Sequence, residues 1–425
     1  MSRGRVLCAA LLAAALLAGG AMAAEFRFPM PEFDSGYTRP PMKLPPAALT
    51  SPMVDVALLA GLMALTAWAV IWRRSRAWTL SIACFSLFYF GFYRLGCVCS
   101  VGSLQNVANA FFGNGAAVPL VVSAFFVLPL VFALWFGRVF CAAVCPLGAL
   151  QEVCAVRPVQ LPRPVEQALG LLAHAYLGLA VVGVVTGSGF LVCQYDPFVG
   201  FFRRGASFNM LLAGGILLAL GIFVARPYCR FLCPYGVLLR WVSIFSRWHA
   251  SVTPAGCIQC RLCESACPVN AIEFPTPSAP PEPRAAGLRR TRRLLLAAPL
   301  IVLFAAGAGW TAHPWLSRLH PTVRLAERMA AEEAGRITET TIDTDTFRAG
   351  QQSLAGLYAA AGEVNHRYKY AGAGFGAFMG LVVCGRLLRL TTLRQRPDYE
   401  VDRGACVSCA RCFAYCPVEK SNAEV

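Results

Sequence analysis

Charge is scarce in this chain. Aspartate, glutamate, lysine and arginine make up 14% of its 425 residues, against about 25% in an ordinary soluble domain, which excludes a soluble globular protein. Histidine is scarcer: there are five, and of these His174 alone falls in a long apolar run. A b-type haem held by two histidines inside a helical bundle is therefore not expected. Covalent haem is not expected either, because no Cys-x-x-Cys-His sequence occurs. Acid is outnumbered, 22 residues against 38 basic ones, for a net charge of +16. Such a balance would point to nucleic acid in a soluble protein. Here the arginines stand beside hydrophobic runs, as topology-setting charges do, and nucleic acid is excluded.

What the chain has in abundance is apolar sequence, 57% of its residues. Arg3 and Arg5, the run Val6–Leu17 and Ala21-Met22-Ala23 have the layout of a signal peptide over residues 1–23. Cleavage would start the mature chain near Ala24 and discard Cys8; an uncleaved anchor is the alternative. A proline-rich exported segment, 24–53, leads into seven apolar runs near or above the spanning length of about 17 residues. They are Val54–Trp72, Ala77–Tyr93, Val118–Trp135, Ala168–Val185, Met210–Val224, Leu294–Trp310 and Tyr370–Val383. Arginines cluster at alternate ends, as at Arg73, Arg74, Arg138, Arg226, Arg230, Arg289, Arg290, Arg386 and Arg389. That asymmetry makes their side cytoplasmic. The expected fold is an α-helical multi-pass membrane protein of about seven helices, embedded with its membrane lipid. Residues 54–250 form a five-span core, and 251–285 and 391–425 are two cysteine-bearing halves of one cytoplasmic domain. Residues 286–390 are a membrane hairpin that splits those halves and bears an exported helical cap, 312–368.

Nineteen cysteines are too many for an ordinary membrane protein, and they are grouped. "CIQCRLCESACP" sets Cys257, Cys260, Cys263 and Cys267 in the order C-x2-C-x2-C-x3-C-P, and "CVSCARCFAYCP" repeats it at Cys406, Cys409, Cys412 and Cys416. In this ferredoxin spacing three thiolates hold one cubane and the fourth ligates its neighbour. Cys257, Cys260, Cys263 and Cys416 are then expected to hold one [4Fe–4S] cluster, and Cys406, Cys409, Cys412 and Cys267 the other. Structural zinc is the competing use of such thiols, but two full copies of the ferredoxin spacing argue against it.

A second pattern recurs at the membrane edge. "GRVFCAAVCPLGALQE" (Gly137–Glu152) and "YCRFLCPYGVLLR" (Tyr228–Arg240) each carry Cys-x3-Cys-Pro, and both share Cys-x-x-Gly-x-Leu with "GCVCSVGSLQN" (Gly96–Asn106). Packing gives no reason for repeated neighbours. Cys141, Cys145, Cys229 and Cys233 supply four thiolates on one side of the membrane, enough for a further iron–sulfur cluster. Cys97, Cys99 and Cys193 fall on the exported side and hold either one more cluster or a disulfide. Cys84, Cys154 and Cys384 are expected to be ordinary thiols. Asp196, in "CQYDPFVGFF", is either part of a docking site for a quinol headgroup or cluster, or a turn residue.

These motifs resemble the membrane polyferredoxin family that includes the NapH subunit of quinol dehydrogenases and the NosR accessory protein of nitrous oxide reductase. The likeness runs from about Arg138 to Pro268 and again from Cys406 to Pro417. The chain has a short leader where NosR-like chains have an exported flavin-binding domain, carries an extra Cys97/Cys99 motif, and splits by a hairpin the two ferredoxin runs that lie close together in NapH. The resemblance implies electron transfer across or at a bacterial inner membrane, between quinone or a cytoplasmic donor and an exported flavoprotein, cytochrome or copper enzyme. The chain would be one component of a membrane oxidoreductase complex. The alternative it also implies is a redox-sensing or metalloenzyme-maturation accessory protein.

Overall fold

The computed structural model describes residues 52–96, 100–112, 118–156, 158–203, 207–252, 257–276, 283–350, 353–391 and 396–418. The signal peptide, nearly all of the proline-rich segment, and Cys97 and Cys99 lie outside the described residues.

Each expected apolar run is helical. Helix α1 (Pro52–Ile71) leads to α2 (Arg76–Ser86), which widens into a π-helix over Leu87–Tyr93. Then come α3 (Ser100–Phe112), α4 (Leu120–Phe136), a π-helical turn (Phe140–Val144), α5 (Pro146–Cys154) and α6 (Arg163–Val185). Two short helices, α7 (Leu191–Tyr195) and α8 (Pro197–Arg203), precede α9 (Phe208–Phe223), α10 (Pro227–Phe231) and α11 (Pro234–Ser243). Of the apolar helices, α1 and α6 are long enough to cross a membrane by length and composition. Helices α4 and α9 are apolar but have 17 and 16 residues, shorter than a helix that spans without local thinning of the bilayer.

Helices α7 and α8 do not stay at the end of the bundle that α6 reaches. They fold back into it. The Val192 N–H donates to Gln105 Oε1 at 3.0 Å, and Gln105 Nε2 donates to the Ala180 carbonyl at 3.3 Å. Leu191, Val192, Phe198 and Phe202 are buried. The Tyr228 hydroxyl, beside Cys229, donates to Asp196, three residues after Cys193. Cys193 therefore lies close to the Cys229 motif and not at the opposite end of the bundle from it. Short re-entrant helices are tolerated at that depth because protein groups, not lipid, meet their backbone.

The ferredoxin halves frame the hairpin. The first half contributes α12 (Leu262–Ala266) and β1 (Ile272–Glu273). The hairpin follows as α13 (Arg284–Thr311), α14 (His313–Ser317), α15 (Pro321–Glu333), α16 (Ile342–Ala349) and α17 (Leu354–Thr391). The second half adds β2 (Glu400–Val401) and α18 (Arg411–Tyr415). Strands β1 and β2 pair antiparallel, Ile272 opposite Val401 and Glu273 opposite Glu400. Val252, Val269, Ile272, Tyr399, Val407 and Phe413 make one core with Val70 of α1, so two stretches far apart in sequence build one small domain on the bundle.

Helices α13 and α17 complete the set long and apolar enough to span. Helix α17 runs 38 residues, about 57 Å at 1.5 Å per residue. It therefore projects well beyond a hydrocarbon core of about 30 Å and merges with the C-terminal part of the expected cap. A seam of small residues joins the two helices: a Cβ on Gly309 or Gly376 would collide with the backbone carbonyl of Gly372 or Ala305, respectively. Close backbone approach of this kind is how apolar helices gain contact when lipid offers no hydrophobic contrast. Gly178 of α6 seats the pair on the bundle, against the rings of Phe375 and Phe378. Replacing Gly376 with leucine should therefore force the helices apart and cost about 2 kcal/mol or more, read as a lower Tm in detergent, whereas Gly374→Leu, with no atom within 4 Å of its Cβ position, should leave Tm nearly unchanged.

Candidate metal centres

Both Cys-x3-Cys-Pro loops have one backbone design. The Cys145 N–H donates to the Phe140 carbonyl at 2.9 Å and the Cys233 N–H to the Tyr228 carbonyl at 2.8 Å. Each is a wide, π-type turn around the first cysteine, a form that recurs at functional sites. Each second cysteine is extended, at φ −71°, ψ 118° and φ −64°, ψ 113°, as a following proline requires, and Pro146 and Pro234 then start α5 and α11. Three residues on, Gly148 and Gly236 return under the loop: a Cβ there would stand 2.8 Å from the Cys141 carbonyl and 3.1 Å from the Cys229 carbonyl. The glycine shared by the motifs is thus the residue that lets the helix pass beneath its own loop. Helix α3 begins at Ser100, inside the third copy and directly after its second cysteine in sequence.

The sulfurs of these loops are supplied with donors. Gln151 Nε2 stands 3.2 Å from Cys229 Sγ, Arg138 Nη2 3.8 Å from Cys141 Sγ, and the Gly236 N–H 3.3 Å from Cys233 Sγ. Burial pushes the Cys229 thiol up to about 12, with the charge of Cys141 adding to it against Arg226 and Arg138. The Cys233 thiol is raised by burial and then by Cys229, Cys145 and Cys141. Thiols raised in this way ionise readily only beside a cation.

The ferredoxin loops repeat each other as closely. Gln259 and Arg261 flank Cys260 at φ +53° and +62°, and Ser408 and Ala410 flank Cys409 at φ +53° and +59°. Left-handed backbone is costly for such residues. It curls successive N–H groups inward to make the concave nest found around phosphates and iron–sulfur centres. One cavity is lined by Cys267, Cys406, Cys409 and Cys412 together, the set in which the fourth cysteine of one run joins three of the other. The Ser408 N–H reaches Cys406 Sγ at 3.4 Å and the Ala271 N–H reaches Cys267 Sγ at 3.3 Å. Burial raises the Cys412 thiol, followed by Cys409, Cys406 and Cys267. On the other side, Cys263 is raised by burial and also by Cys257, Cys260 and Cys416. Cys257 and Cys260 are exposed, whereas Cys267 is buried; one site faces out and the other faces the bundle.

Among the described residues no three His, Cys, Asp or Glu side chains are gathered around a point for a single metal ion. The donor set, the nests and the thiol-lined cavity fit an iron–sulfur cluster.

The other cysteines are placed as follows. Cys384 is buried in α17 with its Sγ 3.9 Å from the Ala298 carbonyl, Cys84 is exposed and Cys154 is half-buried. Cys193 sits in α7, and Cys97 and Cys99 are outside the described residues. Asp196 accepts the Phe198 N–H at 2.9 Å as well as the Tyr228 hydroxyl, so it organises the re-entrant turn.

Sequence reasoning missed the ties between loops. Fully buried Arg226, itself left-handed at φ +53°, donates to the carbonyls of Cys141 and Ala142 and ion-pairs with Glu152 at 2.9 Å. Gln151 bonds Cys229 and accepts the Tyr228 N–H at 3.0 Å. Adjacent Gln151 and Glu152 at the end of an apolar motif were the available signal: polar groups in such a place need partners.

The comparisons follow these loops. A 4Fe-4S binding domain family matches residues 118–164 and again 206–252, the two segments holding the Cys-x3-Cys-Pro loops. A second 4Fe-4S binding domain family matches residues 250–273. NirI of Paracoccus denitrificans is 30% identical over 258 residues, 54% of this chain and 36% of that protein. The uncharacterized protein MJ0750 of Methanocaldococcus jannaschii is 30% identical over 193 residues, 43% of this chain and 77% of its own length. The putative electron transport protein YccM of Escherichia coli is 28% identical over 170 residues, 36% of this chain and 46% of YccM. The chain thus spans well under two thirds of NirI and YccM. No solved structure matches it significantly.

The unequal room beneath the two loops makes a graded prediction. Gly148→Ala should displace the Cys141 carbonyl and lower iron bound per chain, while Gly236→Ala, with a few tenths of an ångström more space, should lower it less. Iron assay of the two purified variants checks the order.

Proposed function

The chain belongs to the membrane polyferredoxin family of iron–sulfur electron-transfer proteins, and we propose that it passes single electrons through three cluster sites in series. The outward site is formed by Cys257, Cys260, Cys263 and Cys416. The inward ferredoxin site is formed by Cys406, Cys409, Cys412 and Cys267. The bundle site is formed by Cys141, Cys145, Cys229 and Cys233. When bound, the clusters supply one-electron redox chemistry without bond rearrangement. The observation that carries this reading is the cavity shared by Cys267 with Cys406, Cys409 and Cys412, on the face of the ferredoxin domain that is tied to the bundle loops.

The protein's own part is to position and insulate. Exposed Cys257 and Cys260 leave the outward site open to a partner. Arg138 links the next two sites, reaching Cys141 Sγ and, at 3.5 Å, the Gly404 carbonyl. Donors to sulfur from Gln151, Gly236, Ala271 and Ser408 offset negative charge at the thiolates, one of the levers that raise cluster potential.

In the cell, the ferredoxin domain lies on the cytoplasmic face of the inner membrane. The far partner is an exported flavin, haem or copper protein, with quinone as the membrane-borne alternative. Cys193, with Cys97 and Cys99, serves the exit side as a fourth cluster or as a disulfide. Iron and one redox signal lost on Cys193→Ser support the cluster; unchanged iron with a native disulfide detected by mass supports the second use.

The series makes three separable demands. Cys145→Ser and Cys233→Ser should each remove the same iron centre and spare both ferredoxin signals. Cys416→Ser should perturb the centre held by Cys257, Cys260 and Cys263; a change confined to the Cys406–Cys412 centre would sink the crossed pairing. Finally, reduced protein mixed with quinone or an exported flavoprotein should turn over continuously. A single slow oxidation would instead favour the sensing or maturation role.

A further inference from the structure

Glu152 lies in the last turn of the first cysteine helix, α5, and its side chain is 5% exposed. Three guanidiniums from distant parts of the chain converge on it: Arg76 at 3.0 Å from α2, Arg226 at 2.9 Å from the turn before α10, and Arg411 at 2.8 Å from α18. Each arginine extends the tie. Arg226 holds the carbonyls of Cys141 and Ala142, Arg76 donates to the Cys409 carbonyl at 3.3 Å, and Arg411 donates to the Ala155 carbonyl at 3.0 Å. One carboxylate thus stands between the loop bearing Cys141 and the loop bearing Cys409.

Its charge state follows from the same contacts. Burial alone would raise the carboxyl, but Arg226, Arg411 and Arg76 together bring it down to about 2. Glu152 is therefore an anion among three cations, and the group carries a surplus of two positive charges. A buried surplus of that size is costly unless anions stand nearby. Four thiolates outweigh the charge of a cubane core, so a loaded site on either side is such an anion.

We propose that Glu152 is the positioning residue for electron passage between the Cys406/Cys409/Cys412/Cys267 site and the Cys141/Cys145/Cys229/Cys233 site, holding the two loops at fixed separation and limiting the positive charge between them. In that step one electron leaves one site and enters the other; no bond forms or breaks and no proton moves. The inference rests on the series of sites proposed above.

The test uses the full-length chain, purified anaerobically, as wild type, Glu152→Gln, Arg411→Gln and the double variant. Iron per chain, the midpoint potentials of both sites by spectroscopic titration, and the rate at which the bundle site fills after rapid reduction are measured. Glu152→Gln should raise both potentials, because three guanidiniums are left uncompensated, and slow filling by about ten- to a hundred-fold, the scale of lost outer-shell partners. Arg411→Gln should lower both potentials. The double variant should return them toward wild type while filling stays slow. Potentials that move in the same direction in Glu152→Gln and Arg411→Gln, as simple loosening and water entry would cause, overturn the proposal; so do unchanged potentials and rates. If Glu152→Gln loses iron altogether, Arg411→Gln decides alone: lowered potentials support the proposal, and unchanged or raised ones defeat it. Wild-type protein without iron would instead defeat the iron–sulfur series itself.

Discussion

A helix that turns two cysteines toward a metal cannot keep its regular ladder of hydrogen bonds, and deep in a membrane protein every freed backbone group must find another partner. Both cysteine loops meet this constraint in the same way. The wide turn returns one N–H to the carbonyl before the first cysteine, and a glycine three residues past the second brings the next helix close enough to close the loop from below. In the first loop the carbonyls of Cys141 and Ala142 are met by Arg226 and that of Val144 by the Ser86 hydroxyl. A guanidinium that deep needs a counter-charge, and Glu152 supplies it. The polar interior of the bundle follows from the broken helix.

Arginine therefore has two uses that one count of charges cannot separate. Arginines flanking apolar runs orient a membrane protein. In the folded chain they also hold the ferredoxin domain in place. Arg74 lies over the Phe413 ring at 5.3 Å, Arg230 donates to the Pro268 carbonyl at 3.1 Å, and Arg389 meets Asp402 at 2.6 Å. Of these, the Arg389–Asp402 pair, with its arginine exposed, contributes little. The buried set around Glu152 differs because removing one partner strands the others.

The helical runs and the ferredoxin spacing were legible in the sequence because both are local: an apolar run is contiguous, and C-x2-C-x2-C-x3-C-P fits within a dozen residues. The likeness of the two Cys-x3-Cys-Pro loops was legible as well, down to the glycine, since the repeat preserves its neighbours. The re-entrant path of α7 and α8 was not. Its signals are Gln105 and Tyr228, which read as ordinary residues until the chain brings them to Val192 and Asp196. Nor was the extent of α17, because Leu354–Lys369 has the texture of a soluble helix and only its continuity with the apolar part makes it one element. Glu152 escaped notice because its partners lie at positions 76, 226 and 411.

The pairing of β1 with β2 sets an order on biosynthesis. Ile272 emerges from the ribosome well over a hundred residues before its partner Val401, and the hairpin lies between them. Until that hairpin has been inserted and the last residues released, Cys267 has no cavity to line. With the ligand set proposed above, loading of the inward site is a post-insertion event, and a chain whose hairpin failed to insert would leave its early cysteines without their partners. Completion of the metal site would in this way report that the membrane part had already been assembled.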